Sequence, residues 1–412
     1  MAYYSTSANN GLSTMPQITP DIIIVGAGIT GLSTALHLKR LGAGSVLVLE
    51  RGYAGAGQSG RAAGIVRALV NHTAVSHMLM HSLGFFQSFE QAYGEKLPLR
   101  QDGYLLLDDA SRERTMNGAL LKAAAAGCIA RRVERAEALE LQPGLRRRDD
   151  DVYAFEPAAI HLDPMLTTQI LKRAAERLGV RIEHGCEVGP LICAGSRIAA
   201  VETSRGRVPA GAVVLATSAL GAAQLHALGI DVPVFPRRTE MAFFSVLPDS
   251  PHRLRRILSD ARNLLYLRPE GSEQMFVGWR EGDRAWSPED SSGLNPDDYW
   301  QSARYDSLAE MQRRLADTLS FTGSGFVQRT YACVYDYTPD GMPILDRAES
   351  IAGLYFALGF SGGGFSLSPW VGSAMASLIA TGEKPAGMEL LRLNRFQAGE
   401  LLSWSNTAEA SS

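Results

Sequence analysis

Four apolar residues, Ile22–Val25, run directly into Gly26-Ala27-Gly28-Ile29-Thr30-Gly31, and a Leu- and Ala-rich stretch follows to Leu41. This predicts a short buried strand, a tight turn and a helix over Gly31–Leu41. A second apolar run, Ser45–Glu50, predicts a parallel strand joined by a right-handed crossover. Each glycine has a separate task. Gly26 permits the turn, Gly28 lets backbone amides reach a pyrophosphate, and Gly31 lets the helix pack closely on the strand. The helix N-terminus, just after Ile29 and Thr30, would face the phosphates with its unpaired N–H groups and positive dipole end. Glu50, about 20 residues on, closes the second strand where a carboxylate can hold ribose hydroxyls, and Arg51 follows it. The glycine spacing alone is common. The strand before it, the helix after it and the acid beyond make it specific for an α/β dinucleotide-binding unit.

The rest of the chain is long enough for a second domain, since 412 residues exceed the usual size of one. A net charge of -3 gives no global attraction to nucleic acid or an anionic membrane. The basic run Arg146–Arg148 is neutralised at once by Asp149–Asp151. Cys128, Cys186, Cys193 and Cys333 lack zinc-ligand spacing and suggest a reducing compartment. Residues 1–18 read as a disordered leader without signal-peptide features. No apolar run approaches the ~20 residues needed to span a bilayer. The expectation is a soluble, cytoplasmic protein.

Helices are predicted at Val75–Tyr93, Ser111–Ala126, Asp163–Leu178, Ala303–Leu319 and Val371–Ala380. Strands are predicted at Gly103–Leu107, Arg181–Glu183, Glu187–Leu191, Val213–Ala216, Ala242–Val246, Leu264–Arg268, Gln274–Trp279 and Leu354–Ala357. An acidic loop is expected around Glu289–Asp298. His161 and Asp163 invite pairing as a catalytic dyad, but Asp163 before Pro164 is better read as a helix N-cap.

Two further stretches suit a flat, phosphate-bearing ligand. Gly55 to Gly64, with Ser59, Arg61, Ala62 and Ala63, is small enough for backbone to wrap a second phosphate or a ring system. Gly359-Phe360-Ser361-Gly362-Gly363-Gly364-Phe365 sits between a strand and a helix, so a helix N-terminus can face the edge of a ring that gathers negative charge.

Taken with the stretch ACVYDYTPDGMPILD, these motifs make the chain similar to flavoproteins of the D-amino-acid-oxidase type, closest to the sarcosine oxidase and amine-oxidising branch. The resemblance spans nearly the whole chain and is specific at its two ends. It implies an α/β fold, with a second domain of α+β type. The expected parts are a Rossmann-like FAD-binding domain (19–85, 152–232 and 327–390), an inserted antiparallel-sheet substrate domain (86–151 and 233–326), and a C-terminal tail at 391–412. It also implies FAD as cofactor and an FAD-dependent oxidase or dehydrogenase activity. The C–N bond of a secondary amine, imino acid or N-methyl amino acid would be oxidised by hydride transfer to flavin N5. Oxygen or another carrier would accept the electrons. Besides the glycines, Val188 and Ala216 join the expected cofactor set. In one branch a cysteine matching Cys333 carries the flavin through a thioether; in others glycine stands there. Both readings stay open, because a lone cysteine is usually a small buried hydrophobe.

Arg67 matches a family arginine near the flavin. Tyr266 falls near a substrate-side tyrosine, and Arg280 is a candidate cation; both also suit packing. The departures are Gly363 for a histidine, Ser366 for a carboxylate-binding lysine, and Phe276 for an oxygen-activating lysine. They leave two rivals: a biosynthetic tailoring enzyme that desaturates or rearranges a larger substrate, and a flavin-binding subunit of a hetero-oligomeric dehydrogenase. Neither oligomeric state nor substrate identity is legible.

Overall fold

A computed structural model describes residues 19–146, 148–245, 253–279, 294–320 and 326–402. Its centre is a six-stranded sheet ordered Ile344–Arg347, Leu354–Leu358, Ala212–Leu215, Ile22–Val25, Val46–Leu49 and Arg181–Glu183. All neighbours are parallel except the first pair. Ile24 registers with Val48 on one side and Val214 on the other. The pleat sends alternate residues to opposite faces. Ile22 and Ile24 join the helical core with Leu32, Leu36 and Val371. Ile23 and Val25 pack with Leu191, Ile198 and Val201 from the three-stranded sheet Val188–Ala194, Arg197–Thr203 and Gly206–Pro209.

Helices Ile29–Arg40 and Gly364–Thr381 cross at Gly372, where an added Cβ would lie 2.3 Å from Ser33 Oγ. Helix Pro164–Arg177 begins as predicted, with Asp163 accepting the Leu166 amide at 2.7 Å.

The second large sheet has eight strands ordered Val327–Tyr337, Phe235–Ser245, Gln274–Trp279, Leu265–Glu270, Ile257–Asp260, Tyr104–Asp109, Asp151–Glu156 and Arg131–Val133. It is antiparallel except where Ile257–Asp260 meets Tyr104–Asp109. Strands Asp151–Glu156 and Val327–Tyr337 thus pair within this sheet, beside the domain boundaries expected at 152 and 327. One face buries Ala242, Phe244, Leu267 and Val277 under Met311 and Leu315 of helix Tyr305–Thr318. The other face presents Met241, Phe243, Phe276, Cys333 and Tyr335, with Ala63 and Tyr266 packed against them. A small sheet of Ile65–Val66, Ile160–Leu162 and Leu99–Arg100 completes the described strands.

The expected helix Val75–Tyr93 is two helices, Thr73–Gln87 and Phe89–Tyr93. Ser88 separates them, its Oγ donating back to Gly84 O at 2.7 Å. Such back-bonding competes with the helix ladder. The last helix starts at Gly364, earlier than expected, and contains Pro369. Proline has no N–H for the carbonyl of Phe365, and Ser368 Oγ donates there instead at 2.9 Å. Strand Phe235–Ser245 extends seven residues before the predicted Ala242, because its polar first half pairs with Val327–Tyr337. The expected leader, Val246 and residues 289–293 of the acidic loop lie outside the described residues. Among the described residues no helix is long and apolar enough to cross a membrane.

Candidate cofactor and active site

The glycine motif sits at the C-terminal end of the central strand. Gly26 has φ +103°, and a Cβ there would lie 2.6 Å from Ala216 O. A Cβ on Gly31 would lie 2.1 Å from Gly26 O. Gly31 is therefore a packing glycine, outside the wall of the cavity that the motif borders. Gly28 is the helix N-cap and lines that cavity. The helix has no side-chain cap and no acid in its first turn. Its Ile29 amide donates to Ser59 Oγ at 2.9 Å, and Thr30 lies beside it in the wall.

The cavity has a volume of about 570 Å³. At one end Glu50 accepts the Ala27 amide at 2.9 Å and the Gly52 amide at 2.8 Å, so its carboxylate is already oriented. Arg51 is paired with Asp297 at 2.6 Å. Val188 and Ala216 line the cavity, as do Cys186 and Glu187. Along the middle run Ser59, Arg61 and Ala62, with Arg61 donating to the carbonyls of Ala56 and Gly57. Ala63 and Gly64 turn away from the wall. Ala63 O accepts Arg268 Nε at 2.6 Å. Gly64 has φ +70° and passes so close to Leu162 that a Cβ would lie 2.1 Å from its carbonyl oxygen.

At the far end Gly362, Gly364, Phe365 and Tyr335 form the wall. Gly359 and Gly363 shape the turn without lining it. Gly359 has φ +71° over Thr338, and Gly363 is the N-cap of the last helix. This helix, like the first, has no side-chain cap and no acid in its first turn. The cavity thus receives two uncapped helix N-termini, a fixed carboxylate and close-packed backbone. An elongated anionic dinucleotide ending in a flat ring system fits that set of donors.

Cys333 lies on the sheet face beside Tyr335 and is 1% exposed. Burial pushes its thiol up to about 12, opposed by a hydrogen bond with Tyr335 and by the Arg61 charge. Burial also raises the Tyr335 phenol. Tyr266 shares the face, its ring lying over Gly278, where a Cβ would be 2.1 Å away. Phe276 is fully buried and carries the Arg268 guanidinium 5.2 Å above its ring. Arg67 does not line the cavity. Its guanidinium donates to Leu69 O and stacks 4.7 Å over Tyr104. Beneath it buried Glu156 accepts the Ala68 amide at 2.9 Å and the Leu69 amide at 2.8 Å. Arg280 lies outside the described residues. His161 Nε2 meets Asp102 at 2.8 Å, so His161 and Asp163 form no dyad.

Several residues had no signal in the sequence. Gln58 lines the cavity and donates to Ser218 Oγ and to Val334 O at 2.6 Å. Ser218 has φ 58° before helix Ala219–His226. Tyr299 and Phe360 also line the wall. Gln58 and Phe360 stood inside recognised stretches, but neither was singled out.

A family model described as FAD-dependent oxidoreductase matches residues 21–378. The chain is 24% identical to sarcosine oxidase subunit beta of Arthrobacter sp. over 94% of its own length and 93% of that protein. It is 27% identical to the subunit of the same name from Rhizobium meliloti (strain 1021), over 93% and 89%. Among solved structures, L-proline dehydrogenase from P. horikoshii matches with a TM-score of 0.85 at 24% identity, covering 94% of this chain and 100% of that one.

Proposed function

Since the chain belongs to the family of FAD-dependent oxidoreductases, we propose that it oxidises the C–N bond of a small amine, either a secondary amine, an imino acid or an N-methyl amino acid. The observation that carries this reading is the far end of the cavity. There the turn Gly359–Gly364 meets Tyr335, on the sheet face that also bears Tyr266 and Phe276. FAD, when bound, supplies the electron acceptor, its N5 taking a hydride from the carbon next to nitrogen.

The chain's own residues bind, orient and exclude water. Gly28 and Thr30 would present backbone amides to the pyrophosphate, Gly26 turns the chain towards it, Ile29 is held by Ser59 Oγ beside it, and Glu50 would hold ribose hydroxyls. Ser59, Arg61 and Ala62 flank the middle of the cofactor, and Gly362–Phe365 close its ring end. The aromatic face positions the substrate against that ring. Burial raises the phenols of Tyr335 and of Tyr331, which packs against the same sheet face, so neither serves as a base. The amine must then arrive neutral, and turnover rises with pH through the amine's own pKa. The six-stranded sheet carries the cofactor and the eight-stranded sheet faces the substrate.

A second reading is a tailoring flavoenzyme that desaturates or rearranges a larger substrate without clamping a carboxylate. Two features favour it: Arg67 turned onto Tyr104, and Ser366, whose hydroxyl bonds Gly363 O at 3.0 Å. A third, a flavin-binding subunit of a larger assembly, draws on the subunit names of the relatives. Anaerobic bleaching of the purified chain by a panel of amines, imino acids and carboxylate-free analogues tests all three. Bleaching by small N-substituted amino acids supports the first. Bleaching only by larger analogues supports the second. No bleaching, with co-purifying partners on size exclusion, supports the third.

A further inference from the structure

Asp336 lies in strand Val327–Tyr337 beneath the glycine turn and is 0% exposed. Its Oδ2 accepts the Gly359 amide at 2.7 Å, and the Phe360 amide and Gln58 also stabilise the carboxylate. Its backbone carbonyl accepts the Ser361 amide at 2.8 Å. The turn so held contains Ser361 at φ 48°, a left-handed conformation that serine adopts when surrounding bonds impose it. Asp336 Oδ1 has no hydrogen-bond partner among the described residues. A buried carboxylate with one oxygen unsatisfied is costly, and asparagine could tie the same amides without a charge. The charge itself therefore needs a use.

We propose that Asp336 is a positioning residue for bound FAD: it fixes the Gly359–Ser361 turn from below and sets a negative charge beneath the ring end of the cavity. This rests on the reading of that cavity as the FAD site. A fixed negative charge there disfavours electron uptake and so lowers the flavin midpoint potential. Burial pushes Asp336 up to about 6, against the amides that favour its ionised form. The charge is present above that pH and lost below it.

Among the described residues, the titratable groups nearest Asp336 are Cys333, Tyr335 and Tyr337 on its own strand and Arg237 and Arg238 on the paired strand, and Arg61 acts on the same stretch through Cys333. Thiols, phenols and guanidiniums ordinarily titrate well above neutrality. The turn contributes no titratable side chain, and Asp340 further along is paired with Arg395 at 2.8 Å.

The test uses the full-length holoprotein. Visible absorbance of the oxidised form is titrated through the acid range, the midpoint potential is measured in mild alkali, and FAD affinity is measured by reconstitution. Wild type should show a spectral transition near its Asp336 value of about 6. Asp336→Asn should lack it, keep FAD and have a higher potential. Asp336→Ala should bind FAD about tenfold or more weakly, having lost a charged hydrogen bond. If the alanine variant does not fold, wild type and Asp336→Asn decide the matter. A yellow protein in which Asp336→Asn keeps the wild-type transition and potential overturns the role of Asp336 alone. A protein that takes up no FAD overturns the cavity assignment as well.

Discussion

At Gly28 the first helix offers the cavity nothing but backbone. A Cβ there would lie 3.0 Å from Ser59 Oγ, which itself holds the Ile29 amide at 2.9 Å. The methyl groups of Gly28→Val would reach past that contact into the pyrophosphate's path. The variant should purify folded by circular dichroism but colourless, and excess FAD should not reconstitute it. Cys333 raises a different question. Its thiol is buried and held protonated, beside the Tyr335 that lines the ring end of the cavity. If it is the attachment point, acid-precipitated wild type retains its yellow colour and Cys333→Ser releases it. Flavin found wholly in the supernatant leaves Cys333 as packing between Phe276 and Tyr335.

Between helices Ile29–Arg40 and Thr73–Gln87, His37 stacks on Phe85 with ring centroids 5.5 Å apart and bonds Ser33 O at 2.8 Å. Burial pushes its pKa from 6.5 down to about 4, opposed by the Ser33 carbonyl. The unfolded chain therefore takes a proton on His37 well before the folded one does. The stabilisation is fully present above 6.5 and is lost as pH falls from there towards 4. Its ceiling is about 3 kcal/mol, from 1.36 kcal/mol per pKa unit. Urea denaturation of His37→Phe should show a flatter decline over that range than wild type. An unchanged slope would mean that His37 titrates normally in the folded state. His72, His81 and His161 shift in the same direction and add to the wild-type slope.

The same elements show what was legible in the sequence. The strand–turn–helix around Gly26–Gly31 could be read because local spacing and glycine geometry determine it together. Strand Val327–Tyr337 could not. Its first half, Gln328, Arg329 and Thr330, is polar and exposed or half-exposed, and only pairing with Phe235–Ser245 makes it a strand. Gln58, Ser218 and Asp336 come from three distant segments and share no local pattern; tertiary folding alone brings the first two to the cavity wall and the third beneath its glycine turn. Arg67 follows the Gly55–Gly64 loop in the chain but does not line the cavity. The direction of its side chain depends on Tyr104 and Leu69, which no motif connects to it.

At the scale of the whole molecule, the described cations around the cavity are engaged with partners. Arg268 is paired with Glu270 and bonded to Ala63 O, Arg67 is tied to Leu69 O and Tyr104, and Arg61 is bonded to Ala56 O. Phe276 places a ring where the resemblance leads one to expect a lysine. Oxygen gains negative charge as it takes an electron, and a cation beside it lowers that barrier; Arg268 is neutralised by Glu270, Arg67 lies off the cavity wall, and Arg61 lies at the middle of the cavity. We therefore expect slow reoxidation of the reduced protein by oxygen and faster reoxidation by an artificial carrier in stopped flow. The same engagement of the described cations limits carboxylate recognition. A charge-assisted hydrogen bond is worth roughly 1.5–3 kcal/mol, so a true bidentate clamp would cost a decarboxylated analogue a hundredfold or more in affinity. With Arg67 engaged elsewhere, the loss should stay within about tenfold. Oxygen reactivity at the rate of typical oxidases, together with a large decarboxylation penalty, would require an unpaired cation at the site. Arg280, outside the described residues, would then be the first to replace: Arg280→Met should abolish both effects, and Arg268→Met should abolish neither.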